Sequence, residues 1–187
     1  MSAAYPWLEP PWPEKKLSRD ELEQRLLQLV ASQNVCVLAT NRKDGHPIAS
    51  PIEYHADGLT LYMLADPGTP KLLSMKRDPR VAAAIQTGFR GWPSIRSAQF
   101  FAHAEILQPH TPEWDHGMTI FKWRAAQEEV GMDTSKPIEW EMTKLVPDRI
   151  FYMETWLWQS GYNWKQWWLA DSEESAAPEA LKPNEIQ

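Results

Sequence analysis

Residues 59–85, LTLYMLADPGTPKLLSMKRDPRVAAAI, read as a strand, a turn, a helix and a second strand in direct succession. The apolar residues of 59–65 predict the first strand, and those of 81–87 predict the second. Between them, Thr69 is typical of a helix N-cap and Pro70 of a first helical residue. The predicted helix therefore begins a few residues after the first strand ends.

Lys71 lies in the first turn of this predicted helix. A cation there opposes the helix dipole, which costs a few tenths of a kcal/mol up to about one, unless an anion lies between them. The backbone N–H groups, the Thr69 hydroxyl and the Lys71 ammonium together indicate a phosphate-binding cradle. A solvated surface lysine is the alternative interpretation.

Short apolar or alternating segments recur elsewhere in the chain, with turn residues between them. They predict further strands at residues 35–40, 47–55, 98–107 and 144–155. Asp44-Gly45 and Asp57-Gly58 separate strand candidates at the length of a hairpin turn. We therefore expect neighbouring strands to pair antiparallel.

Pro51 has no N–H group to donate to a strand ladder. We therefore expect the second strand to be bulged or to lie at a sheet edge near Ser50 and Pro51, where a bulge re-aims groups toward a ligand. Short connections cannot make parallel crossovers. The sequence thus predicts a mainly β fold, a six-stranded antiparallel split barrel with flanking α-helices.

Two of the flanking helices have clear start signals. Ser18 and Glu21 form a capping box that opens a helix over residues 18–32. A second helix is expected to begin after the N-cap Thr111 and to continue to about residue 130.

Three regions of the chain differ in composition. Residues 1–16 are rich in proline and tryptophan and predict an extended arm. Residues 17–170 form the predicted barrel domain, and residues 171–187 predict a flexible acidic tail.

Five of the eleven tryptophans lie between Trp156 and Trp168. They indicate an aromatic core or dimer seam, or alternatively the wall of a planar-ligand pocket.

The composition excludes several classes of partner and compartment. A net charge of −6 argues against a general nucleic-acid or anionic-membrane binder. The single cysteine, Cys36, lies in an apolar run and is expected to be a core residue in a reducing compartment. No apolar run approaches the roughly 18 residues of a membrane span. The sequence thus predicts a soluble, cytoplasmic protein.

The order of these segments resembles that of the FMN-binding split barrels related to pyridoxamine 5'-phosphate oxidase, over roughly residues 20–155. The strand–Thr–Pro–Lys–helix element, followed by Asp78-Pro79-Arg80-Val81, resembles the family's phosphate-side motif. In that motif a helix-start lysine contacts the FMN phosphate. The resemblance implies this role for Lys71, with Thr69 beside it. The other FMN contacts that it implies are Ser50, Pro51, Ile52, Leu64, Ala65 and either Gln99 or Ser97.

The chain departs from the oxidases of this family at several basic positions. Ser50, His55 and Pro70 stand where those enzymes carry cations, although the hydroxyls of Ser50 and Thr69 can still donate to a phosphate. The basic residues that bind the oxidase's substrate are also not evident after residues 147–150. The resemblance therefore does not extend to the pyridoxamine reaction.

The histidines do not have the spacing of a metal site, and we predict no metal. His103, on a predicted strand, and His116 are the available axial ligands if the barrel held haem.

The leading hypothesis from the sequence is an FMN-binding flavoprotein that acts as an oxidoreductase on a small-molecule substrate. It would work as a homodimer with FMN at the interface. The alternatives are a non-enzymatic binding or stress-related split barrel, and a barrel that uses deazaflavin or haem. No catalytic residue is assigned, because a flavin carries the hydride chemistry itself.

Overall fold

The computed structural model describes residues 11–88, 90–135 and 138–172. Its helices are α1 (Arg19–Ala31), α2 (Pro70–Arg77), α3 (Pro112–Phe121) and α4 (Trp123–Glu129). Its strands are β1 (Val35–Asn41), β2 (Pro47–Glu53), β3 (His55–Asp57), β4 (Thr60–Leu64), β5 (Arg80–Gln86), β6 (Arg96–Leu107), β7 (Met142–Glu154) and β8 (Lys165–Leu169). None of the described helices is long and apolar enough to cross a bilayer.

The strands of the described residues form one curled antiparallel sheet. Its order is β2-β1-β5-β6-β7-β4-β3, and β8 pairs with the second half of β7. β2 and β3 lie at the two ends of this order although they follow each other in the chain, and β2 also contacts β4. The sheet therefore curls round until its two ends meet. The mainly β antiparallel barrel predicted from the sequence is confirmed.

Pro51 lies on an edge strand, as its missing N–H requires. β2 pairs with β1 without interruption, from Asn41 opposite Pro47 to Val35 opposite Glu53. Of the two expectations for this strand, the edge is correct and the bulge is wrong.

A bulge does occur where β6 meets β7. Phe101 pairs with Arg149 and Ala102 pairs with Pro147, so Asp148 is an extra residue in β7. A bulge re-aims its side chain, and the Asp148 carboxylate here lies 2.8 Å from Nδ1 of His103.

The structure differs from the sequence-based expectations at three places. The predicted strand 47–55 is divided at Tyr54, which leaves β3 as a separate short strand. β8 is an additional strand within the tryptophan-rich segment. The single helix expected to run to about residue 130 is broken at Lys122, whose φ of 53° is left-handed, so α3 and α4 are separate helices.

α1 covers one side of the core. Its capping box is present: the Ser18 hydroxyl accepts from the Glu21 N–H, and the Glu21 carboxylate accepts from the Ser18 N–H. The buried stripe Leu22, Leu26 and Leu29 packs into the same apolar cluster as the barrel interior. Capping and burial of one face together explain why this segment is helical.

A polar network fastens α1 to β6 and β7. Nη1 of Arg25 donates to both carboxylate oxygens of Glu154, at 2.9 and 2.7 Å. The Tyr152 hydroxyl donates to Glu154 at 2.6 Å and accepts from Nε of Arg96 at 2.9 Å. Because the Tyr152 side chain is fully buried, its hydroxyl depends on these partners.

The described end of the N-terminal arm, residues 11–16, has no helix or strand and docks on the tryptophan-rich segment. The Lys15 carbonyl accepts from the Asn163 N–H at 2.7 Å. The Lys165 ammonium lies 5.2 Å from the Trp12 ring and 4.5 Å from the Trp164 ring. Residues 1–10 of the predicted arm, and all but two residues of the predicted acidic tail, lie outside the described residues.

Candidate functional site

A single cross-strand row on the outer face of the sheet contains two of the residues implicated from the sequence, Pro51 and Gln99. Strand pairing sets its members opposite one another: Pro51, Val37, Ala84, Gln99, Phe151 and Trp167. Directly opposed residues of paired strands lie on the same face. Ser97 lies two residues from Gln99 on β6 and therefore faces the same way.

This outer face is open and largely apolar near β1, β2 and β5. Val35 and Val37 are 51% and 44% exposed. Pro51 and Ala84 are also exposed, and Ala82 is half-buried. Exposed apolar side chains this close together are characteristic of a surface that another molecule covers.

An aromatic cluster lies on the same face at β6, β7 and β8. The Arg149 guanidinium lies 4.9 Å from the Phe101 ring and 6.0 Å from the Trp167 ring. The Phe151 and Trp167 rings are 4.9 Å apart. Nε1 of Trp167 is buried and has no hydrogen-bond partner among the described residues. A fixed cation and an available donor therefore lie beside the row that carries Gln99.

Ser50 and Ile52 face the other way. Ser50 is opposite Leu38, whose row continues to the buried Ala83 and Phe100, and Ile52 is itself buried. The Ser50 side chain is therefore directed toward the interior side of the sheet, away from Gln99.

The start of α2 is the second part of the candidate site. Thr69 is the N-cap residue, but its hydroxyl donates to the Asp66 carbonyl at 2.9 Å rather than accepting from the helix. The first turn of α2 contains no acidic residue. Its free N–H groups and the half-exposed Lys71 thus leave this helix end without a compensating negative charge.

Lys71 differs from the other cations of this region. Lys76 pairs with Glu141 at 2.5 Å, Arg80 pairs with Asp78 at 2.9 Å, and Arg77 donates to the Asn41 carbonyl. Hydrogen bonds from Arg80 hold the pKa of the Asp78 carboxyl well below its usual range. Within the described ranges, no carboxylate pairs with Lys71.

Leu64 and Ala65 lie just before this helix. Leu64 ends β4 opposite Met142, and Ala65 is buried in the main core. Among the described residues, no hydrogen bond or ion pair joins Thr69 or Lys71 to the row of Pro51 and Gln99. Of the expected contacts, Pro51, Ser97 and Gln99 thus lie on the outer face, and Thr69 and Lys71 lie at the start of α2. Ser50, Ile52 and Ala65 face the interior.

His55 and Pro70 are the other positions at which the sequence analysis noted a missing cation. His55 lies 3.3 Å from the Glu53 carboxylate, and its ring packs edge-on against Phe121 at 4.8 Å. Pro70 is the first residue of α2. Pro70 carries no charge and therefore adds none to the start of α2.

The two histidines considered as haem ligands each have a carboxylate neighbour. Nε2 of His116 lies 3.1 Å from Asp57, so that nitrogen is engaged. In His103 it is Nδ1 that faces Asp148, which leaves Nε2 on the exposed outer face. Among the described residues, no cluster of three or more His, Cys, Asp and Glu side chains is arranged to hold a metal ion.

Arg149 and Trp167 are site residues that sequence reasoning did not select. Residues 144–155 predict a strand, but the bulge at Asp148 shifts the alternation of faces by one residue, which no sequence pattern shows. The sequence indicates Trp167 only as one member of the tryptophan-rich segment, because it does not predict β8, the strand on which Trp167 lies.

An antiparallel split barrel with a helix-start lysine after β4 and an open outer face defines the class of protein. The comparison with known families agrees with this class: residues 22–149 match the family model described as pyridoxamine 5'-phosphate oxidase. The chain belongs to the pyridoxamine 5'-phosphate oxidase family.

Solved structures with the same fold include proteins with different described functions. A haem-binding protein from Mycobacterium smegmatis is 19% identical, with a TM-score of 0.61. The match covers 79% of this chain and 57% of that protein's length. A candidate pyridoxamine 5'-phosphate oxidase from Listeria innocua is 22% identical, with a TM-score of 0.57 over 70% of this chain and 97% of its own. HutZ, a haem storage protein from Vibrio cholerae, is 16% identical, with a TM-score of 0.56 over 67% of this chain and 89% of its own. At these identities the likeness shows the shared fold.

Proposed function

We propose that this chain is an FMN-binding flavoprotein that works as a homodimer and acts as an oxidoreductase on a small-molecule substrate. Membership of a family whose members commonly bind flavin supports the proposal. The observation that carries it is that Lys71 pairs with no carboxylate among the described residues, whereas Lys76 and Arg80 do.

The phosphate of FMN would lie at the start of α2. A dianionic phosphate there meets the free N–H groups of the first helical turn and the Lys71 ammonium, and it removes the unfavourable opposition between Lys71 and the helix dipole. The neighbouring cations already have protein partners, so Lys71 is the residue left to neutralise the phosphate.

The ring of FMN would lie against the outer face. A planar heterocycle suits a surface of small apolar side chains such as Val37 and Ala84, with the Gln99 amide available to hydrogen-bond the ring edge. Arg149 and Trp167 bound the same surface.

A second copy of the chain would bring the two groups of contacts together. Val35 and Val37 are exposed apolar side chains. In a two-fold dimer the same face of the partner would pack against them and bury them. In this arrangement the outer face of one protomer and the α2 start of the other contribute to one site.

Bound FMN would supply the hydride or electron transfer. The residues of this chain then have binding, orienting and shielding roles: Lys71 neutralises the phosphate, Gln99 orients the ring, and the apolar face excludes water. This division of labour explains why the site needs no dedicated acid or base.

A haem-binding protein is the second candidate function. The observation that favours it is the His103–Asp148 pair on the outer face, in which the carboxylate holds Nδ1 and leaves Nε2 available. Metal-bound histidines commonly have this second partner on the ring. Two of the structurally similar proteins are described as a haem-binding protein and a haem storage protein.

Reconstitution followed by absorbance spectroscopy separates these candidates. The purified protein is incubated with FMN or with haemin in parallel, passed through gel filtration, and its spectrum recorded. Retained flavin bands support the proposal. A retained Soret band that is lost in His103→Ala, without flavin retention, supports the haem function. Retention of neither favours a non-enzymatic split barrel.

A further inference from the structure

A small cavity lies between the first turns of α3 and the strands β4 and β7. Its volume is about 280 Å³. Tyr62 of β4, Lys144 of β7, and Pro112, Glu113 and His116 of α3 line it. None of these described residues is an expected FMN contact. The volume is slightly below that of pockets for drug-sized ligands, so the cavity suits a small molecule.

Strand pairing fixes the floor of the cavity. Tyr62 lies opposite Lys144 where β4 pairs with β7, and Lys144 lies opposite Glu105 where β7 pairs with β6. Directly opposed residues share a face of the sheet, so these three side chains form one row. α3 covers the same face, because the His116 ring packs edge-on against the Tyr62 ring with centroids 5.9 Å apart. The cavity therefore opens between this row and the first turns of α3.

The Tyr62 hydroxyl is available to a ligand. Tyr62 is 4% exposed, and its hydroxyl makes no hydrogen bond to any described residue. This oxygen is nevertheless not among the described unpartnered side-chain atoms that are shut off from solvent. The small accessible part of Tyr62 therefore includes its hydroxyl, which faces the cavity that the residue lines. An otherwise buried side chain thus presents one polar group to the cavity.

This hydroxyl acts as a donor at neutral pH. Burial raises the pKa of Tyr62 above its ordinary value of 10.0, so the hydroxyl keeps its proton. A protonated phenol donates to an acceptor such as a carbonyl oxygen. The cavity therefore suits a ligand that brings an acceptor to Tyr62.

The charged lining residues differ in whether they have a partner. Nζ of Lys144 lies 2.9 Å from the Glu105 carboxylate. Nε2 of His116 lies 3.1 Å from the Asp57 carboxylate. The exposed Glu113 carboxylate has no hydrogen-bond or ion-pair partner among the described residues. Lys144 and His116 are thus already engaged, and Glu113 is left to bind a positively charged group of a ligand.

We propose that this cavity binds a small amine that carries a carbonyl oxygen. The ammonium group of the ligand binds the Glu113 carboxylate, and the carbonyl oxygen accepts a hydrogen bond from the Tyr62 hydroxyl. Pro112 and the Tyr62 ring provide apolar surface for the rest of the ligand. The site does not depend on FMN being bound.

Ligand-detected NMR titrations of the full chain at neutral pH, with three probes, test this proposal. Leucinamide carries an ammonium group and a carbonyl oxygen. Isoamylamine has the same apolar end and the ammonium group but no carbonyl, and isocaproamide has the carbonyl but no amine. Leucinamide is expected to bind more tightly than the other two probes, because it makes both polar contacts.

Two conservative variants assign the contacts. Tyr62→Phe is expected to weaken the binding of leucinamide and isocaproamide about two- to ten-fold, the effect of one neutral hydrogen bond, and to leave isoamylamine unchanged. Glu113→Gln is expected to weaken the binding of leucinamide and isoamylamine about two- to five-fold, the effect of an exposed ion pair, and to leave isocaproamide unchanged.

Asp115→Asn is the matched control for Glu113→Gln. Asp115 is the other acidic residue in the first turn of α3 and is not among the described residues that line the cavity, so all three affinities are expected to stay unchanged. Circular dichroism reports whether each variant is folded. The proposal is overturned if wild type does not bind leucinamide or binds isoamylamine as tightly. It is also overturned if Tyr62→Phe or Glu113→Gln binds leucinamide as tightly as wild type.

Discussion

Pro51 on β2 and Gln99 on β6 lie in one cross-strand row on the outer face of the sheet, joined through Val37 and Ala84. Residues far apart in the chain thus share one exposed surface. Lys71 lies at the start of α2, and no hydrogen bond or ion pair between described residues joins it to this row. The proposed FMN site needs both surfaces, and the predictions below test each separately.

Lys71→Ala is expected to weaken FMN binding about ten-fold or more, because a hydrogen bond to a charged group contributes about 1.5–3 kcal/mol. Titration of the apoprotein, followed by flavin fluorescence, measures the change. Lys76→Ala is the matched control on the same helix, since Lys76 already pairs with Glu141. Equal affinities of the Lys71→Ala variant and wild type would exclude the proposed phosphate site.

Val37→Glu is expected to convert a wild-type dimer into a monomer, because it places a charge in the centre of an apolar interface. Light scattering coupled to gel filtration gives the mass. Val130→Glu is the control, since Val130 is an exposed apolar residue (71%) that follows α4 and belongs to none of the strands of this face. A wild-type protein that is monomeric at all concentrations would contradict the proposed dimer.

Tyr152→Phe is expected to lower the free energy of unfolding by about 1–3 kcal/mol, because the half-buried partners Arg96 and Glu154 lose the buried hydroxyl that they share. Urea denaturation measures the loss. Tyr162→Phe, in a half-buried loop position, is expected to change the stability by less than about 0.5 kcal/mol. Similar effects of both substitutions would show that the network does not stabilise the fold.

Cys36 predicts a pH dependence. Burial raises the pKa of its thiol to about 12, from an ordinary value of 9.0. The thiol stays protonated in the folded state where the unfolded chain has already lost its proton. Its contribution to stability is therefore fully present below pH 9.0 and is lost as the pH rises toward 12.

The same burial is expected to protect Cys36 from alkylation. Near pH 9 iodoacetamide should react slowly with the native protein and rapidly in urea, as mass spectrometry would show. Cys36→Ala should flatten the loss of stability between pH 9.0 and 12. Equally fast alkylation with and without urea would mean that the thiol is accessible in the folded state.

Local signals predicted much of the fold. The capping box of Ser18 and Glu21 located α1, and the missing N–H of Pro51 indicated an edge strand. These features depend on residues close together in the chain. The helix break at Lys122 has no such signal, because neither glycine nor proline is present there. Trp123, directly after the break, packs against Trp140, a contact between residues apart in the chain.

The candidate site was predictable only in part. Strand alternation separates Pro51 from Ser50, but the face that each occupies becomes known only from the partners Val37 and Leu38. The face that Arg149 occupies is not predictable from strand alternation either, because the bulge at Asp148 shifts the alternation by one residue. That no described carboxylate pairs with Lys71 becomes known only from the folded chain, in which Glu141 pairs with Lys76 and Asp78 pairs with Arg80.

The most direct test of the proposed function is a titration of the purified apoprotein with FMN, monitored by flavin fluorescence, with riboflavin titrated in parallel. The account predicts saturable binding of one FMN per chain and markedly weaker binding of riboflavin, which lacks the phosphate that Lys71 would neutralise. No binding of FMN, or equal affinity for FMN and riboflavin, would contradict it.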